Sequence, residues 1–179
     1  MASSVASSFQ IITRPTIAAV IPAVRGEHYV YTCELTEDKP VYALMKCKSN
    51  KTWASKDLEC LGREANLFFV FDACVQATVH SIKTVKSLEC PKNVAGGFIE
   101  IWVADACIDC DTFYDICEQK DADALSQICD NVCASRETVL ELARGMLVAL
   151  KTETNKYGLF HVKEITSTSV LIDAYHIWL

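Results

Sequence analysis

At 179 residues the chain is long enough to bury a sizeable core and short enough to form one domain. Apolar residues make up 51% and charged residues 22%, the balance of a globular fold rather than of a disordered segment. A formal charge of −6, with 17 scattered lysines and arginines, excludes the basic footprint of a nucleic-acid binder, and no apolar run is long enough for a helix to cross a bilayer.

Residues 1–8, mostly Ser and Ala, are expected to be disordered. The apolar stretch 17–24 contains Pro22 and follows no charged segment, which does not suit a secretory signal, so an intracellular place, cytoplasmic or nuclear, is expected. Residues 28–33 and 41–47 are β-branched, aromatic and apolar, and Thr36-Glu37-Asp38-Lys39-Pro40 between them has turn composition, which predicts a hairpin. From Lys56, the spacing of Leu58, Leu61, Ala65, Phe68 and Phe69 predicts a helix. Residues 75–86 and 98–104 read as two strands paired about the turn 91–97. Asp111 is placed to cap a short helix through Thr112, Phe113 and Ile116, and residues 118–126 read as exposed connection or helix surface. Ser135 is predicted to cap a long helix with Val139, Leu142, Ala143, Met146, Leu147 and Leu150 on one face and Gly158 past its end. Residues 159–165 and 170–172 are extended pieces separated by the hydroxyl-rich Thr166-Ser167-Thr168-Ser169. The order predicts an α+β chain, β-rich first and helical second, with a boundary near residue 105.

The ten cysteines read as reduced, mostly buried thiols rather than a disulfide framework. Cys107/Cys110 and Cys129/Cys133 are the densest pairs. A structural zinc needs four convergent ligands, and a redox C-x-x-C wants a helix start inside a βαβ pattern, so both uses rank below plain buried thiols. His161, beside Phe160 in an extended segment, reads as a core or edge histidine before a catalytic one. His28, His80 and His176 show no ligand spacing, and Asp105, Asp109 and Asp111 read as caps and solubilising charge before a cation site.

Several short motifs fall in the order found in protein kinases. Val41-Tyr42-Ala43-Leu44-Met45-Lys46 resembles the V-A-I-K strand, and Arg63-Glu64-Ala65 follows where the lysine's glutamate partner belongs. Asp111-Thr112-Phe113-Tyr114 resembles the first helix past the hinge. Residues 162–172 align without a gap on the catalytic loop H-R-D-I-K-P-x-N-V-L-I. Val162 stands for its histidine, Lys163 for the arginine, Glu164 for the aspartate, Thr166 for the lysine and Ser169 for the metal-binding asparagine. The chain therefore resembles a degenerate, truncated protein kinase, with a β-rich N-lobe over residues 9–104 and a partial helical C-lobe over 105–179. Trp53 after Lys46 is similar to a feature of the Bub family of spindle-checkpoint kinases.

The resemblance implies a pseudokinase that acts by protein–protein interaction, its partner a kinase or checkpoint component, in mitotic checkpoint signalling. Lys46 and Glu64 would be a vestigial ATP-site pair. No metal and no working cofactor are expected, since the glycine-rich loop and the D-F-G segment, which place ATP and Mg²⁺, are missing. The alternative is a serine/threonine kinase fragment with residual ATP binding or weak activity, using Lys46, Glu64 and Glu164. A third reading is a fragment or remnant of a larger kinase.

Overall fold

The computed structural model describes residues 27–43, 52–54, 66–71, 76–81 and 99–178. These form an α+β, sheet-rich assembly of two five-stranded antiparallel sheets and two helices. The strands are β1 (Glu27–Thr36), β2 (Val41–Ala43), β3 (Thr52–Trp53), β4 (Asn66–Phe71), β5 (Ala77–Ser81), β6 (Ile101–Asp105), β7 (Val139–Leu142), β8 (Leu147–Thr152), β9 (Tyr157–Ile165) and β10 (Ser169–Trp178). Helices α1 (Cys110–Gln119) and α2 (Ala122–Val132) lie between β6 and β7, and a 3-10 turn (Cys133–Ser135) ends α2. The first sheet runs β1-β10-β9-β8-β6 and the second β3-β2-β4-β5-β7.

Alternation along the strands builds two apolar layers. Leu35, Ile101, Val103, Val148, Leu150, Phe160, Val162, Val170, Ile172 and Ala174 of the first sheet meet Tyr42, Leu67, Phe69, Ala77, Val79 and Leu142 of the second. Phe69 and Phe160 touch across this gap with ring centroids 6.1 Å apart. Two polar ties cross it as well: Tyr42 Oη bonds His176 Nε2, and the Ile101 N–H donates to Ser81 Oγ at 3.1 Å. The other face of the first sheet carries Leu147, Ala149, Tyr157, Leu159 and Tyr175, which pack under Phe113 and Ile116 of α1 and Leu125 and Cys129 of α2.

Several expectations need correction. The long helix expected after Ser135 is β7 and β8, joined by a turn in which Gly145 has φ +82°. Residues 147–150 are all buried because β8 has the sandwich core on one face and helices on the other. A strand covered on both faces reads as a continuous apolar run, which also satisfies a helical spacing. The helix expected through Phe69 is at its end β4, where Leu67 and Phe69 alternate into the core; residues 55–65 lie outside the described residues.

Neither expected hairpin pairs as supposed. The turn at 36–39 closes with reciprocal bonds between Thr36 and Lys39, but β1 then pairs with β10 while β2 pairs with β3 and β4. Likewise β5 pairs with β4 and β7, and β6 with β8, so those two strands face each other across the core. Both sheets draw strands from either side of residue 105, so no lobe boundary falls there. The helix at 111 starts two residues earlier, capped by Asp109 rather than Asp111, and the stretch 118–126 is helical at both ends: 118–119 finish α1, and 122–126 begin α2, where Ala122 and Leu125 are buried.

Candidate functional site

The outward face of the first sheet is covered by the helices at one end and open at the other. Thr32, Asp173 and His161 lie opposite one another on β1, β10 and β9, and Glu34, Leu171 and Glu164 form the next such row. A β-bulge joins the rows: Leu171 pairs with Glu164 and Ile172 with Val162, which leaves Lys163 as the extra residue of β9. A bulge turns two consecutive side chains to one face. Lys163 and Glu164 therefore both point outward, while Val162 and Ile165 pack into the sandwich.

Asp173 is the hub of the first row. Thr32 Oγ1 donates to its Oδ1 at 2.7 Å, and Lys163 Nζ and Tyr114 Oη each donate to its Oδ2 at 3.0 Å. Burial alone would raise this carboxyl, but the three donors together hold it below the ordinary aspartate range. The Lys163 ammonium is correspondingly raised by its bonds to Asp173 and Tyr114. Tyr114 comes from α1 and also meets His161 Nδ1 at 3.1 Å. Partial burial, helped by the neighbouring Lys163 charge, lowers His161.

Beside this row Glu34, Glu164, Thr166, Ser169 and Leu171 line an open recess of about 270 Å³. Its far rim is the β9–β10 turn. There the Thr166 N–H donates to the Ser169 carbonyl at 2.8 Å, and the Ser169 and Thr168 N–H groups donate to Thr166 Oγ1 at 2.9 and 3.3 Å. Hydroxyl side chains close such turns by bonding nearby backbone N–H groups. The recess thus has two carboxylates on its walls, a rigid hydroxyl rim and one apolar side chain.

Of the residues nominated from the sequence, Glu164, Thr166 and Ser169 come together in the recess and Lys163 lies beside it. Val162 does not join them, being fully buried in the sandwich core. The segment that the kinase resemblance makes a catalytic loop is a hairpin of two strands, and its hydroxyls are engaged in turn closure. Lys46 and Glu64 lie outside the described residues. Glu34, Thr32, Tyr114 and Asp173 were not nominated. Strand pairing brings the first, second and fourth of these to this face and the packing of α1 brings Tyr114, and nothing local in the sequence marks either.

Cys129 and Cys133 are buried, and their S–H groups point to the carbonyls of Gly158 (3.4 Å) and of Trp102 and Ala149 (both 3.7 Å). Burial pushes the Cys133 thiol up to about 11. Asp105 bonds the Cys107 N–H and Asp109 caps α1. Among the described residues, no group of three or more His, Cys, Asp and Glu is placed to hold a metal ion, and no helix is long and apolar enough to cross a membrane. No family model, curated protein or solved structure matches the chain.

Proposed function

We propose that this chain is an interaction protein without phosphoryl-transfer activity, whose outward sheet face binds a protein segment through a basic side chain seated in the Glu34–Glu164 recess. The observation that carries this reading is the pairing of two carboxylates from different strands on the walls of one open recess, over Leu171. A lysine or arginine suits it, because its methylene stem can lie on Leu171 while its charged head reaches the glutamates. The rim is held by the turn's own hydrogen bonds, so little ordering accompanies binding.

The pseudokinase expectation agrees with this reading in one respect: both work by binding rather than phosphoryl transfer. Val162 is spent on the core, and Thr166 and Ser169 on a turn. A kinase or checkpoint component is the partner named by the motif resemblance, and the recess asks only that it present a basic residue. A kinase-derived ancestry rests on the order of the motifs.

Fluorescently labelled peptides, alike except for Lys, Arg, Gln or Glu at a central position, test the proposal by polarisation. The Lys and Arg peptides bind best, and their affinity falls with added salt. Each exposed ion pair contributes up to about 1 kcal/mol, so Glu34→Gln with Glu164→Gln weakens binding by roughly three- to tenfold. Equal binding of all four peptides, or none, would sink the reading. A Mg²⁺-dependent rise in unfolding temperature with ATP, lost in Lys46→Met, would turn the assignment toward the kinase fragment.

A further inference from the structure

One row beyond the recess, where α1 begins over β9, the Cys110 Sγ lies 3.6 Å from His161 Nε2. Cys110 is the first residue of α1, and its side chain is half-buried. The hydrogen bonds around it share one direction. Tyr114 Oη gives its proton to Asp173 Oδ2, so it accepts from His161 Nδ1–H. The imidazole proton is then on Nδ1, and Nε2 is left bare toward the thiol. Thr32 and Lys163 hold Asp173 from the other side.

We propose that Cys110 and His161 are a nucleophile and general base, a site for acyl transfer from an activated ester or thioester to water. This activity is independent of the recess and its ligand. The thiol proton passes to His161 Nε2 as sulfur attacks the acyl carbonyl, and the tetrahedral adduct collapses as His161 returns that proton to the departing alcohol or thiol. The acyl group is then a thioester of Cys110. His161 next takes a proton from water, hydroxide adds to the thioester, and the C–S bond breaks to give the carboxylic acid. The protonated His161 returns its proton to the departing thiolate. One acyl bond and one water are consumed, and the thiol and imidazole are restored.

Three features support the assignment. The first turn of a helix has N–H groups with no partner inside it, and at α1 the Asp109 side chain takes that of Thr112. The N–H groups of Cys110 and Asp111, the earlier ones of the same turn, would supply the donors that an oxyanion needs. Partial burial keeps the imidazole neutral at physiological pH, as a base must be. Finally, Phe113 packs edge-on against the His161 ring at 6.1 Å and Tyr114 at 6.0 Å, which fixes its orientation.

The exposed Cys107, three residues earlier in the chain, is a built-in reference for the test. The full chain is treated with limiting iodoacetamide at neutral pH, and each cysteine peptide is quantified by mass spectrometry. Cys110 alkylates at least about tenfold faster than Cys107, and His161→Ala removes the excess. With p-nitrophenyl acetate, an acetyl adduct appears on the Cys110 peptide and is absent in Cys110→Ser. Native circular dichroism certifies each variant, and His161→Gln replaces the alanine variant if that one unfolds. Cys110 no more reactive than Cys107, reactivity unchanged without His161, or no adduct on Cys110 would each overturn the proposal.

Discussion

Asp173 carries more of the outward face than any other single side chain, and it gives that face a pH signature. Its carboxyl is held below the usual aspartate range by donors from β1, β9 and α1, against the opposing effect of burial. A carboxyl depressed by folding contributes stability that is present above its unfolded value, near 4, and is lost as pH falls through the lower folded value. Lys163 is raised instead, so its own protonation change falls far to the alkaline side of this window. Chemical denaturation of wild type and Asp173→Asn should therefore converge as pH drops from about 5 to 2, with wild type losing more. Parallel acid limbs would mean that these three donors do not favour the ionised form. Little of this was legible from residue order. Lys163 was nominated for another reason, and Asp173 looks like any strand aspartate until it is seen opposite His161 and Thr32. Cys110 was weighed only with Cys107, and His161 as a core or edge residue, because 51 positions of sequence separate the thiol from the imidazole.

At the scale of elements, β9 fits between β8 and β10 because it lacks a side chain at one point. Gly158 faces the sandwich core, opposite Leu150 on β8 and His176 on β10. A Cβ there would lie 2.8 Å from His176 Nδ1 and 2.9 Å from Leu150 Cδ1. Both neighbours are buried, and His176 is also bonded to Tyr42 in the opposite sheet, so neither moves cheaply. Overpacking of this kind costs about 1–3 kcal/mol, and Gly158→Ala should lower the urea midpoint accordingly with an unchanged slope. An unaltered midpoint would mean that Leu150 adopts another rotamer without loss. The sequence offered Gly158 as the stop after a long helix, and its real role depends on partners in two other strands. Elements with a local signature were read better: the helix at Phe113 and Ile116 stands within two residues of where a capping aspartate placed it, and the hydroxyl-rich 166–169 does separate two extended pieces. The β8 run failed because periodicity alone does not separate a strand buried on both faces from a buried helix.

Across the whole molecule, the two apolar layers share β6, β8, β9 and β10. Val148 and Leu150 point into the sandwich while Leu147 and Ala149 point under the helices, and Phe160 and Leu159 divide in the same way. Neither layer can lose its order without stripping one face of four shared strands. The chain also weaves between the sheets: β5 and β7 belong to one, while β6 and β8 belong to the other. A two-lobed molecule would be free to unfold in two steps, whereas shared strands predict one cooperative transition. Trp102 packs on the helix-side layer and Trp53 lies in the second sheet, so tryptophan fluorescence samples both regions and far-ultraviolet circular dichroism samples the backbone. The two curves should superimpose in urea, with Trp102→Phe leaving the midpoint seen by the remaining tryptophans in step with the backbone signal. Separate midpoints, with the helical signal lost first, would show that the helix layer is an independent unit. The Cys110 site would then depend on that layer's own weaker stability, because its thiol is carried by α1 and its base by the sheet beneath.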